Sequence, residues 1–151
     1  MKLHLLTVIS ILTLAVIPTS SAVVTPPLTK CNIKIDDPHF SNYLYRTQGI
    51  VAVKVNARSR CNKPMTDLKL VVEIYKTGLF RDYKVAESVL EPNGTIPSNK
   101  LIKNEKTWIE CKTRKRSVFF GVAYASAVID GKNMKTFKVT SERNEPLNCA
   151  N

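Results

Sequence analysis

Four cysteines constrain this chain more than any other feature. Cys31, Cys61, Cys111 and Cys149 all follow an apolar N-terminal stretch, and no two are close in sequence. Widely spaced cysteines with no C-x-x-C pair read as disulfides formed in an oxidising compartment. Beyond the leader only His39 could join them around a metal, and without a C-x-x-C pair the spacing does not suit a zinc site. Four cysteines permit three connectivities. Cys61 and Cys111 fall on core-facing positions of alternating segments, whereas Cys31 precedes the first expected strand and Cys149 follows the last. The expected pairing is therefore Cys61–Cys111 as a staple between sheets and Cys31–Cys149 as a clasp between the two ends.

Residues 1–22 carry the three parts of a secretory signal peptide. Lys2 supplies the positive start, Leu5 to Ile17 the apolar core, and Ser20-Ser21-Ala22 the small residues before a cleavage point. The apolar core is shorter than the ~20 residues that span a bilayer as a helix. The expectation is a leader over 1–22, an arm over 23–30 rich in proline, and one domain over 31–151, secreted to the extracellular space. The leader holds one of the 23 basic residues and none of the 12 acidic ones, so the net charge of +11 falls only to +10 after cleavage. The remaining 129 residues suit a single domain with a real core, which the disulfides support rather than replace.

Period-2 alternation dominates the mature chain. Val51, Val53, Val55, Ala57, Ser59 and Cys61 take one side of a strand, while Lys54, Asn56, Arg58 and Arg60 take the other. Leu68, Leu70, Val72 and Ile74 alternate in the same way after a turn at Asn62-Lys63-Pro64. Residues 80–90 and 107–111 make weaker strands, and Pro97 demotes 96–102 to an edge or an irregular crossing. Residues 117–130 form the longest apolar run, with a small face at Gly121, Ala123, Ala125 and Ala127, as in a central strand covered on both sides. Asp130-Gly131 turns the chain into 135–140, with Phe137 and Val139 inward. No segment fits a helix well. These features predict an all-β fold: an immunoglobulin-like antiparallel β-sandwich of about seven strands with two disulfides, a closed barrel being the alternative.

The stretch from Cys31 to Cys149 resembles a group of small, uncharacterised secreted proteins found mainly in actinobacteria. The likeness lies in Asp37-Pro38-His39-x-Ser41, in Val53-x-Val55-x-Ala57 ending at Cys61, and in Leu70-x-Val72-x-Ile74-Tyr75-Lys76-x-Gly78. It continues through Asn104 before Cys111, Gly121-x-Ala123 and the final Cys149. The resemblance implies export and a two-disulfide β-domain, and it brings no catalytic residues. Two loops depart from the pattern. Lys112-Thr113-Arg114-Lys115-Arg116 replaces a small Gly-containing turn, and Asp130-Gly131-Lys132 replaces a Pro-Gly segment.

Chemistry-bearing constellations are sparse. Asp36-Asp37-Pro38-His39 is the one place with acids beside a histidine, but Asp before Pro is ordinary turn chemistry. No nucleophile elbow or phosphate-cradling Gly-rich loop is present, so no enzyme activity and no cofactor are expected. A hydrolase using His39 ranks last. The sharpest feature is the cationic run Lys112, Arg114, Lys115 and Arg116. With Cys61 bonded to Cys111, it would join Arg58 and Arg60 in one basic patch. The expected function is an exported binding module that engages an anionic surface or polymer through this patch. The alternative is an effector-like or envelope module that recognises a protein partner through its loops. Sequence-specific nucleic-acid reading has no supporting motif. Trp108, Phe119 and Phe120 beside the run are expected in the core, and Tyr43 and Tyr45 at the surface. Asn93-Gly94-Thr95 is a glycosylation sequon on a turn.

Overall fold

A computed structural model describes residues 28–136 and 138–150. The leader, most of the arm and Phe137 lie outside these residues.

The strongest alternation gives the longest strands. In chain order the elements are β1 (Cys31–Ile35), β2 (His39–Phe40), α1 (Asn42–Gln48), β3 (Ala52–Cys61), β4 (Thr66–Lys76), β5 (Tyr83–Leu90) and β6 (Ile102–Glu110). They continue with β7 (Thr113–Ser117), β8 (Phe119–Ile129), β9 (Lys132–Lys135), β10 (Val139–Thr140) and β11 (Leu147–Ala150). All pairings are antiparallel. In sheet one, β1 and then β2 run along one edge of β3, and β6 runs along the other. In sheet two, β9 and β10 share one edge of β8, and β4 and β5 follow on its other side. The two sheets thus hold three and four lanes, the expected strand number once each split edge counts as one. A separate ribbon pairs β7 with β11.

The inner faces bury Val53, Val55, Ala57, Leu70, Val72, Ile74 and Phe119 against the small face of β8. Gly121 shows why that face is small. A Cβ there would lie 2.6 Å from a methyl of Val55 and 2.8 Å from the Ile35 tip, so glycine is what lets the sheets meet at this point. The open side is closed by a polar clasp. Asn104 of β6, 1 % exposed, donates to the carbonyls of Leu70 (3.1 Å) and Ser88 (3.3 Å), and accepts from the Ser88 hydroxyl (3.0 Å). The clasp satisfies the buried amide, which would otherwise cost about 1–3 kcal/mol.

Several expectations require correction. The cysteines pair as Cys31–Cys61 and Cys111–Cys149. Cys31 does not precede the first strand but begins β1, directly opposite Cys61. The Cys111 amide donates to the Val51 carbonyl at the other end of β3. At ~3.3 Å per residue, Cys111 and Cys61 are roughly 30 Å apart, far beyond disulfide reach. A helix exists where none was expected. Ser41 caps α1 by accepting from the Leu44 amide at 3.3 Å, Gly49 closes it, and Leu44 buries its one apolar contact. The segment around Pro97 takes the second of its two expected forms, an irregular crossing between sheets, tied by a bridge from Ile96 to Met65. Among the described residues the outer face of β8 is shielded by side chains rather than by another layer: Tyr75 stacks on Phe120 at 5.2 Å, and Lys138 lies 5.1 Å from the Tyr124 ring centre.

Candidate anionic-partner interface

The revised pairing separates the residues expected to act together. Arg58 and Arg60 point outward near the Cys31–Cys61 end of sheet one, while Lys112–Arg116 lie beyond Cys111 at the opposite end of β3. They do not form one patch. Nor is the cationic run a free hairpin loop: Thr113–Ser117 is strand β7, held by β11.

Each cluster has acquired neighbours of its own. On β3, odd positions from Val53 to Cys61 are buried and Arg58 and Arg60 are exposed. Antiparallel register places Lys34 of β1 opposite Arg58 on one side and Lys103 of β6 opposite it on the other. Residues directly opposite share a face, with Cβ atoms about 4.5–5.5 Å apart. Three exposed cations therefore stand in a row across three strands. Beside the row, Lys30, Lys34, Arg58, Arg60, Asn62 and Asn99 line a cleft of about 410 Å³. Two acids touch it loosely: Asp36 lies 3.7 Å from Arg58, and Glu105 lies 3.9 Å from Lys103. Among the described residues Lys34 has no ion-pair partner.

At the other end, Lys115 and Arg116 line a second cleft of about 560 Å³ with Lys76 and Thr77. The β4–β5 hairpin projects from the same place. The chemistry-bearing residues elsewhere do local work. Asp37 accepts from the Glu142 amide at 3.0 Å, and His39 Nδ1 lies 2.8 Å from the Asp37 carbonyl. Asp36 accepts from Asn56 at 3.4 Å. Among the described residues no three His, Cys, Asp or Glu side chains gather as a metal site.

The aromatics divide. Phe119 is buried, but Trp108 is 38 % exposed, which corrects its expected core position, and Phe120 is half-buried on the outer face of sheet two. Tyr43 and Tyr45 are exposed as expected. Lys34 and Lys103, and the exposed Leu79 and Phe80, were not singled out from sequence. Lys34 had a local signal, because Cys31-Asn32-Ile33-Lys34-Ile35 alternates like a strand. Lys103 becomes meaningful only through register.

The chain matches no family model, no curated protein and no solved structure.

Proposed function

We propose that this chain is an exported, non-enzymatic binding module of immunoglobulin-like architecture that engages a polyanion through the outer face of sheet one. The carrying observation is the Lys34–Arg58–Lys103 row. Like charges directly opposite across strands cost stability, by roughly 0.2–1 kcal/mol per pair. A solubilising surface would gain as much from cations spread apart or alternated with acids. A repeated phosphate or sulfate placed across the row relieves the repulsion and supplies charge-assisted hydrogen bonds. Lys30 and Arg60 extend the positive potential along the neighbouring cleft. Export is supported by the leader-like pattern of 1–22 and by the two disulfides. Among the described residues no helix is long and apolar enough to cross a membrane.

The test is retention on immobilised polyphosphate and on a sulfated polysaccharide. Wild-type protein should be retained and should elute steeply with salt, because the Debye length falls from about 10 Å at 0.1 M to about 3 Å at 1 M. Replacing Lys34, Arg58 and Lys103 together by Gln should shift elution to much lower salt. Replacing Arg114, Lys115 and Arg116 by Gln should shift it less. Retention that ignores salt, or that survives the Lys34/Arg58/Lys103 replacement, would falsify the reading.

A further inference from the structure

The β4–β5 hairpin carries two apolar side chains that nothing in the fold uses. Leu79 is 89 % exposed and Phe80 93 % exposed at the tip between Thr77 and Asp82. Single exposed apolar residues are ordinary. Two adjacent ones at a turn, where polar residues serve folding better, are not. Nor is the tip loosely held. The Arg143 guanidinium bonds the Asp82 carboxylate through both terminal nitrogens, at 2.8 and 3.3 Å, and also bonds the Thr77 hydroxyl. Its carbon lies 4.5 Å from the Phe120 ring centre, so the clamp is seated on sheet two. Gly78 is pressed against the Arg81 carbonyl and the Tyr83 ring, which leaves no room for a side chain there. The tip is thus presented in a set shape, with the ordering cost already met.

Cations surround its base. Lys76, Lys115 and Arg116 share one cleft with Thr77, and Arg81 lies within the tip, 5.1 Å over the Tyr83 ring. Asp82, the acid within the tip, is engaged by Arg143. An apolar point ringed by positive charge complements one kind of surface: hydrocarbon beneath a layer of negative headgroups.

We infer that the Leu79–Phe80 tip inserts into the interface of an anionic phospholipid bilayer, with Lys76, Arg81, Lys115 and Arg116 at headgroup level. This site lies at the opposite end of β3 from the Lys34–Arg58–Lys103 row and does not depend on it.

Vesicle flotation tests the inference, using phosphatidylcholine alone and phosphatidylcholine mixed with phosphatidylserine. The protein lacking residues 1–22 should float with the mixed vesicles. The double variant L79S/F80S should bind them at least about tenfold more weakly, the scale set by losing one buried Leu or Phe side chain. Both side chains are exposed, so this variant should fold normally and keep its retention on immobilised polyphosphate. A second measurement places the tip in the membrane. Trp108 is the single tryptophan, so F80W in a W108F background reports from the tip alone. Its emission should shift to the blue with mixed vesicles and be quenched by bromine-labelled acyl chains. Equal flotation of L79S/F80S and wild type would overturn the inference, as would an indole emission that vesicles leave unchanged. The Lys34/Arg58/Lys103 replacement should still show vesicle binding. Failure of the polyanion reading and failure of tip insertion are therefore separately visible.

Discussion

The outer faces of the two sheets solve the same problem in opposite ways. Sheet two also sets like charges opposite each other, at Glu73 and Glu87. There Lys84 bridges them, bonding Glu87 and lying 3.3 Å from Glu73, while the Tyr75 hydroxyl donates to Glu73 at 3.2 Å. The hydrogen bonds that Lys84 donates, first to Glu87 and then to Glu73, hold its ammonium well above the usual lysine range, and Lys84 pushes the Glu87 carboxyl down. Lys69 is likewise matched by Glu91 at 2.7 Å. On sheet one Asp36 and Glu105 approach Arg58 and Lys103 only at 3.7 and 3.9 Å, and among the described residues no acid pairs with Lys34 or bridges two members of the row. A single counter-charge makes the arrangement on sheet two self-sufficient. The row on sheet one lacks such a bridge, and the proposed polyanion would supply what Lys84 supplies on the other face.

The largest expected effect separates the faces through their staples. Replacing Cys31 and Cys61 by Ala opens a loop of 30 residues, and replacing Cys111 and Cys149 opens one of 38. Loop-closure entropy puts each loss at about 3–4 kcal/mol, read as a lower denaturant midpoint. Function should split where stability does not. Loss of Cys31–Cys61 frees edge strand β1, which carries Lys34, and should weaken polyphosphate retention. Loss of Cys111–Cys149 leaves the row in place. Equal retention by the two variants would break the assignment of the row to the binding face.

A smaller effect concerns sign. Lys34→Ala removes one member of a like-charged row and should leave stability unchanged or raise it by about 0.2–1 kcal/mol. Lys84→Ala leaves Glu73, whose side chain is 6 % exposed, opposite Glu87 without its bridge, and should lower the melting temperature. Thermal melts of the two variants at low salt decide it. A fall in both would mean that the row on sheet one already carries its own compensation.

The physical reasons for what sequence reveals are visible in the same two faces. Alternation along β3 placed Arg58 and Arg60 outward and Val53, Val55 and Cys61 inward, because the side-chain period is a local property of a strand. The antiparallel all-β class followed from the same pattern, and the two disulfides from four spaced cysteines with no C-x-x-C pair. The small face of β8 was legible too, and the contact of Gly121 with Val55 and Ile35 explains it. Pairing between distant strands was not legible. Nothing near Cys61 says that Cys31 lies opposite it, and an error in that register moved the cationic run by the length of β3. Helix α1 escaped because seven residues, about two turns, with one buried leucine have no period to read. The tip escaped because an exposed Leu-Phe pair resembles the start of a strand until the burial of its neighbours is known.

The smallest expected effect lies at the clamp beneath the tip. Hydrogen bonding from Arg143 holds the Asp82 carboxyl below the usual carboxylate range, and Asp82 in turn raises Arg143. A carboxyl depressed on folding stabilises the native state at every pH above its unfolded value of about 3.9. That contribution fades as pH falls below this value and is gone once pH has passed through the lower, folded value. Asp82→Asn should therefore melt at a lower temperature than wild type at pH 7. The gap should close as both proteins are titrated below about pH 4. Both ends of the pair are exposed, so the gap should also shrink with added salt. The sequence separation of 61 residues makes this a long-range tie, set on the face where charges are matched. A gap that persists unchanged into strong acid would show that the substitution costs stability through hairpin geometry rather than charge, and the tip would then owe its shape to Gly78 and Tyr83 instead of to Arg143.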